Sequence, residues 1–206
     1  MRQLLIATRN QGKIKEILAD LVGLDFEVVG LDEAGVPKEF SPEEPAMTME
    51  GNAVIKAISY GMKTGLLTLA EDAGLEVDAL DGRPGVLSAR YVSGTDEDRY
   101  KKVLEELRDV PDEKRTAQFR AVVAIFDPTT TKVRTCEGIY HGTILREPPT
   151  TQGWGYDPIF WNEEKQKTNA QMTPEEKNSV SHRGQALAKA KIILRTEFPK
   201  YYFPKS

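Results

Sequence analysis

Cysteine is nearly absent: Cys136 stands alone in 206 residues. An intrachain disulfide is therefore impossible, and one cysteine with two histidines, His141 and His182, makes no cluster for structural zinc. Long apolar runs are missing as well. Leu4-Leu5-Ile6-Ala7 is too short for a signal peptide or a membrane span, so a soluble, reducing, cytoplasmic setting is expected. An excess of positive charge is lacking too, since 28 Lys and Arg against 32 Asp and Glu leave a net charge of −4. That balance disfavours a protein that neutralises nucleic-acid phosphates along a long footprint. It leaves room for a small phosphorylated ligand held by a few local cations. Neither the Walker A pattern nor the Rossmann glycine fingerprint is present, and there is no G-x-S-x-G serine-hydrolase elbow.

What is present suffices for a self-supporting core. A chain of this length buries roughly 70% of its unfolded surface and forms one domain or two closely packed lobes. An apolar strand is expected over residues 3–8, followed by the loop Thr8-Arg9-Asn10-Gln11-Gly12-Lys13. Ile14, Ile17, Leu18, Leu21 and Val22 then recur at helical spacing. Val28-Val29 reads as a second strand, and residues 31–47, rich in Pro, Gly and acid, as a long loop. A helix is expected from Thr48 to Lys63 with Val54, Ala57 and Ile58 inward and Gly61 weakening its last turn. Residues 66–70 and 75–80 read as two strands flanking Glu71-Asp72-Ala73-Gly74, with a turn over 81–85. Tyr100, Val103, Leu104 and Leu107 mark a helix ending near Pro111. Residues 117–126 and 132–145 read as a hairpin, 148–158 as a loop, and 182–195 as a helix with Leu187, Ala190 and Leu194 inward. The class is α/β with a mixed sheet.

Four segments carry chemistry. The first loop lies between a strand and a helix, where free backbone N–H groups favour an anion. Thr8, Asn10 and Lys13 add polar and charged groups there, although an ordinary turn with a solvated lysine has the same composition. Glu71-Asp72, at the end of an apolar strand, offers oxygen ligands for Mg²⁺, with Glu43-Glu44 a second acidic source. The alternative is a pair of solvated acids. In Gly153-Trp154-Gly155-Tyr156-Asp157-Pro158, two aromatics between glycines suit stacking on a flat ligand or plugging of the core. Ser181-His182-Arg183-Gly184 reads as a capped helix start that presents two donors. His141, in a strand-like stretch, reads as structural.

Together, in order and spacing, these segments resemble the inosine triphosphate pyrophosphatase family, in its bacterial dITP/XTP pyrophosphatase branch. The resemblance rests on Ala7–Lys13, Asn52-Ala53 with Lys56, Glu71–Leu75, Pro84-Gly85, Ser88–Tyr91, Gly155–Phe160 and Ser181–Leu187, and it covers the whole chain. It implies one domain over residues 1–206, with an elongated mixed β-sheet, flanking helices and two lobes around a central cleft. It implies Mg²⁺-dependent conversion of the non-standard purine triphosphates ITP, dITP and XTP to monophosphate and pyrophosphate by a cytoplasmic homodimer. No nucleic-acid or membrane partner is expected. Carried over by position, Thr8, Arg9, Asn10, Gln11, Gly12 and Lys13 hold the triphosphate, and Lys56 reaches it from the neighbouring helix. Asp72 is the catalytic carboxylate and a metal ligand, with Glu44, or else Glu43, the second metal residue. Trp154, Gly155, Tyr156, Asp157, Lys177, His182 and Arg183 serve the base and sugar.

The chain departs from the family pattern at four positions. Glu71 and Ala73 stand where Asp and a substrate-contacting Ser are usual, Trp154 replaces a stacking Phe, and Arg9 replaces a Gly. Two other readings fit part of the pattern: a Maf-like pyrophosphatase acting on modified nucleotides, and a non-catalytic purine sensor. Tyr201-Tyr202-Phe203 suits an interface or tail packing equally.

Overall fold

The computed structural model describes residues 2–198, and Tyr201-Tyr202-Phe203 lie outside them. Strand β1 (Arg2–Ile6) leads to helix α1 (Gln11–Asp20), strand β2 (Phe26–Gly30) and helix α2 (Met49–Thr64). Strand β3 (Leu67–Val77), helix α3 (Asp96–Glu106) and strands β4 (Thr116–Asp127) and β5 (Lys132–Ile144) follow. Two short strands, β6 (Phe160–Asn162) and β7 (Lys167–Thr168), precede helices α4 (Pro174–Val180) and α5 (His182–Glu197). The strands hydrogen-bond in the order β2-β1-β3-β4-β5-β6-β7. β1 is parallel to β2 and β3, whereas β6 is antiparallel to β5 and β7. This is the mixed α/β sheet that the alternation of patterns predicts. Among the described residues no helix is long and apolar enough to cross a membrane.

The chain divides into two compact units. One comprises residues up to 72, 122–137 and those from 184; the other comprises 73–121 and 138–183. In the first, Leu4, Leu5, Leu69, Ala53, Ala57, Leu187, Ala190 and Leu194 are fully buried. The inward face of α2 differs from the expected one. Asn52, Ala53, Ala57, Tyr60 and Gly61 are buried, whereas Val54 is half-buried and Ile58 is exposed. Ala57 is inward as expected; beside Met49 and Tyr60 the stripe is made of small or polar residues, which an apolar pattern registers weakly. Gly61 belongs to it for a packing reason: a Cβ there would sit 2.5 Å from the Phe126 ring. The loop over 31–47 forms as expected and docks on α2 through Phe40, whose ring meets Tyr60 edge-on at 5.5 Å. Cys136 is half-buried against the carbonyl of Ala186, and burial pushes its thiol up to about 11.

Two expectations about the chain around the acids need correction. Residues 66–80 are not two strands around a turn: β3 runs unbroken through Glu71-Asp72-Ala73-Gly74, so the acids sit mid-strand. Gly74 suggested a turn, but it is not among the glycines of positive φ, and its strand backbone is open to any residue. Gln11, Gly12 and Lys13 are also not loop residues, because α1 starts at Gln11 with Asn10 as its N-cap.

The second unit packs Leu75, Val77, Tyr100, Val103, Leu107, Phe119, Tyr140, Ile144, Tyr156, Ile159 and Phe160 into one core. Buried Arg115 bonds the carbonyls of Leu107, Ile144 and Leu145 and so closes the C-terminal end of α3. α3 begins earlier than its apolar stripe, at Asp96, under a capping box of Thr95 and Asp98. α4 was not anticipated, although Thr173-Pro174 and Glu176 supply a capping box with proline at the helix start. His141 is exposed on β5 and plays no part in the core.

Candidate functional site

Within the first unit, β3 presents Glu71 and Asp72 at successive positions, so their side chains leave on opposite faces of the strand. Glu71 is buried, and its carboxylate lies 3.7 Å from the Lys13 ammonium on the first turn of α1. Asp72 meets Lys56, which projects from the middle of α2. Lys56 Nζ donates to Asp72 Oδ1 at 2.8 Å and to Glu44 Oε2 at 3.0 Å, so one ammonium is shared by two carboxylates. The Lys56 and Asp72 side chains are only 12% and 13% exposed. Burial works against the charge on Lys56, but Asp72 and Glu44 outweigh it and hold the ammonium above its usual range. For Asp72 the balance tips the other way. Burial outweighs the nearby Lys56 and Lys13 ammoniums, and the carboxyl is held above its usual range.

Of the two acidic candidates in the loop, the structure brings Glu44 to this cluster and leaves Glu43 exposed. Asn52, buried on α2, fixes that loop by accepting from the Ala46 N–H at 3.0 Å. Arg9 does not point its charge into the cluster. Its guanidinium donates to the carbonyls of Val36 and Pro37, at 3.0 and 2.9 Å, and more distantly to Phe40. It thus ties the start of α1 to the acidic loop. Thr8 accepts from the Asn10 N–H, and Asn10 in turn accepts from the Lys13 N–H.

The donor set fits a magnesium ion of one coordination type. Among the described residues no group of three or more His, Cys, Asp or Glu converges. Mg²⁺ takes one or two carboxylates and completes its shell with phosphate oxygens and water. Glu44 and Asp72, which already face one shared cation, suit that arrangement.

In the second unit the loop before β6 exposes Trp154, 39% accessible, between Gly153 and Gly155, both of positive φ. The Lys177 ammonium lies 4.9 Å and the Arg183 guanidinium 5.6 Å from the centre of its ring. Asp157 accepts from Lys177 at 2.6 Å through one oxygen and from Asn169 at 3.3 Å through the other, and Tyr140 donates to Asn169. His182 is buried and stacks on Phe119 with centroids 4.9 Å apart. Tyr156 is not a ligand-facing residue as expected: it is buried in the core and donates to the Ser88 carbonyl at 2.8 Å. The two aromatics of this loop therefore divide, one plugging the core and the other facing solvent. Sequence reasoning does not single out Asp96, whose carboxylate accepts from the Gly155 N–H, or Asn169, which donates to Asp157, and both hold this loop. The Thr95-x-x-Asp98 box was the available signal for the helix start that places Asp96.

The model of the Ham1 family matches residues 4–193. The chain is 48% identical over 196 residues to a dITP/XTP pyrophosphatase of Geobacter sulfurreducens, covering 94% of this chain and 97% of the relative. Among solved structures it resembles a HAM1 protein from Coxiella burnetii at 39% identity, with a TM-score of 0.86, covering 95% of this chain and 99% of that one. It also resembles the Nucleoside-triphosphatase / dITP/XTP pyrophosphatase from Mycobacterium abscessus at 41% identity, with a TM-score of 0.76, covering 91% and 98%. With a match over nearly its whole length, a charged cluster on β3 and an aromatic loop beside two cations, this chain belongs to the Ham1 family.

Proposed function

We propose that this protein is an enzyme that hydrolyses non-standard purine nucleoside triphosphates, XTP, dITP and ITP, to the monophosphate and pyrophosphate, and so cleanses the cytoplasmic nucleotide pool as a Mg²⁺-dependent homodimer. The relatives' activity supports the reaction. The observation that carries the reading is the pair of carboxylates, Glu44 and Asp72, turned toward one cation within the same unit as the anion-binding start of α1.

On this reading the first unit handles the phosphates. The first-turn amides of Gln11 and Gly12 and the Lys13 and Lys56 ammoniums hold phosphate oxygens. Glu44 and Asp72 would hold the metal, which supplies Lewis-acid neutralisation of phosphate charge. Water attacks the α-phosphorus and pyrophosphate leaves. Asp72 would bind the metal or accept a proton from that water. The charge that develops on the phosphate oxygens is met by groups already in position, the usual source of most catalysis in phosphoryl transfer.

The second unit handles the base. Trp154 offers a ring for stacking, and Lys177 and Arg183 place positive donors beside it. A 6-oxo purine presents an acceptor to such donors, whereas adenine presents an amino donor and leaves them unpaired. Turnover of dITP in ¹⁸O-water tests the reaction. The label should enter deoxyinosine monophosphate and not pyrophosphate; release of inorganic phosphate with the diphosphate, or no turnover, would overturn the reading.

A further inference from the structure

Trp154 lies between two glycines of positive φ, Gly153 (97°) and Gly155 (62°), and its own carbonyl accepts from the Asp157 N–H at 3.2 Å. A further, long-range restraint comes from α3. The N–H of Gly155 donates to Asp96 Oδ2 at 2.7 Å, across 59 positions of sequence. The other oxygen of Asp96 accepts from Arg99 Nη2 at 2.6 Å, and Arg99 also donates to the Gly94 carbonyl at 3.0 Å. The carboxylate is thereby held in one orientation, with one oxygen aimed at the loop.

Asp96 is the first residue of α3, where a carboxylate ordinarily serves the helix itself. Here that task belongs to others: Thr95 and Asp98 form a complete capping box. The Asp96 side chain is spent on the loop instead. Burial alone would raise its pKa, but the Gly155 N–H and Arg99 outweigh burial and keep it below the usual carboxylate range. The bond is therefore charge-assisted at neutral pH.

We propose that Asp96 is a positioning residue that fixes the Trp154 ring for the purine base and so sets KM for the nucleotide. The assignment of the base to Trp154 rests on the proposed function; the anchoring of the loop does not.

In a Trp161→Phe background Trp154 is the single tryptophan, since the chain has two. Fluorescence emission and anisotropy are recorded without nucleotide for Asp96→Ala, Asp96→Asn and Asp98→Ala, and kcat and KM are measured for XTP. Asp98→Ala weakens the same helix start without touching Gly155. Asp96→Ala should lower Trp154 anisotropy, shift its emission and raise KM about fivefold, with kcat within about twofold. Asp96→Asn, which keeps an acceptor, should restore most of both, and Asp98→Ala should leave the fluorescence as in the parent. Unchanged Trp154 fluorescence in Asp96→Ala, or an equal change in Asp98→Ala, would overturn the proposal. Altered fluorescence with unchanged KM would uphold the anchor and overturn its link to KM, removing Trp154 from base binding.

Discussion

The charged cluster on β3 and the aromatic loop before β6 are built on opposite plans. In the cluster every group is partnered by another ionisable group, and the side chains of Lys56 and Asp72 are nearly shut away from water. In the loop the central group is an uncharged ring, 39% exposed, with two cations beside it. The contrast teaches a division of labour. A buried set of opposed charges is costly to disturb and already organised for an anionic transition state. A half-exposed ring between two glycines of positive φ suits reversible recognition of a flat ligand by stacking. The first should govern rate and the second binding and choice of base.

Substitutions separate the two. Asp72→Asn removes the negative charge but keeps the shape; kcat for XTP should fall by roughly 10³-fold or more, with the circular dichroism of the folded protein retained. Lys56→Met leaves Glu44 and Asp72 facing each other without their cation. Breaking a buried pair in this way should cost about 3 kcal/mol of unfolding free energy at pH 7 in denaturant titrations, and about 10²-fold in rate. The Asp72 carboxyl is already raised in the folded protein, so its ionised form is disfavoured there, and loss of Lys56 raises it further. A raised folded pKa stabilises the protonated protein, and that contribution is lost as pH rises through it. The Lys56→Met deficit should therefore shrink between pH 7 and pH 5.

The loop should respond through the other parameter. Trp154→Ala should raise KM for XTP about tenfold with kcat little changed, and Trp154→Phe should stay within about threefold. The smallest effect is expected at the tether. Arg9→Ala should lower kcat only a few-fold while the amides of Val36 and Phe40 exchange about tenfold faster, as read by hydrogen exchange. A fall in kcat for Trp154→Ala as deep as that for Asp72→Asn would erase the contrast.

Much of the fold was legible because its core strands and α5 are conventional apolar patterns: Leu4 and Leu5, the run from Ala121 to Ile125, and Leu187, Ala190 and Leu194 are all buried. What was misread has a common cause. By composition Gly74 and Gly61 read as punctuation, whereas one lies within a strand and the other makes room for Phe126. Local composition does not distinguish a glycine required for its φ from one required for its size. In the cluster, the resemblance picked out Glu44, Lys56 and Asp72, and the structure brings all three together. What sequence concealed were long-range tertiary bonds between distant segments. These are Arg9 to the carbonyls of Val36 and Pro37, Asn169 to Asp157, and Asp96 to Gly155. Tyr156 and Trp154 were equivalent by composition, and only packing shows that the first is core and the second is open.

The most direct test of the account is pyrophosphate release from XTP, dITP, ITP, ATP and GTP, with Mg²⁺ and with chelator. Metal-dependent release is expected from the first three, with kcat/KM at least about tenfold above ATP, and none in chelator; GTP, which shares the 6-oxo group, reports on the 2-position alone. Turnover of ATP equal to that of XTP would contradict the reading of the Trp154 loop, and undiminished release in chelator would contradict that of Glu44 and Asp72.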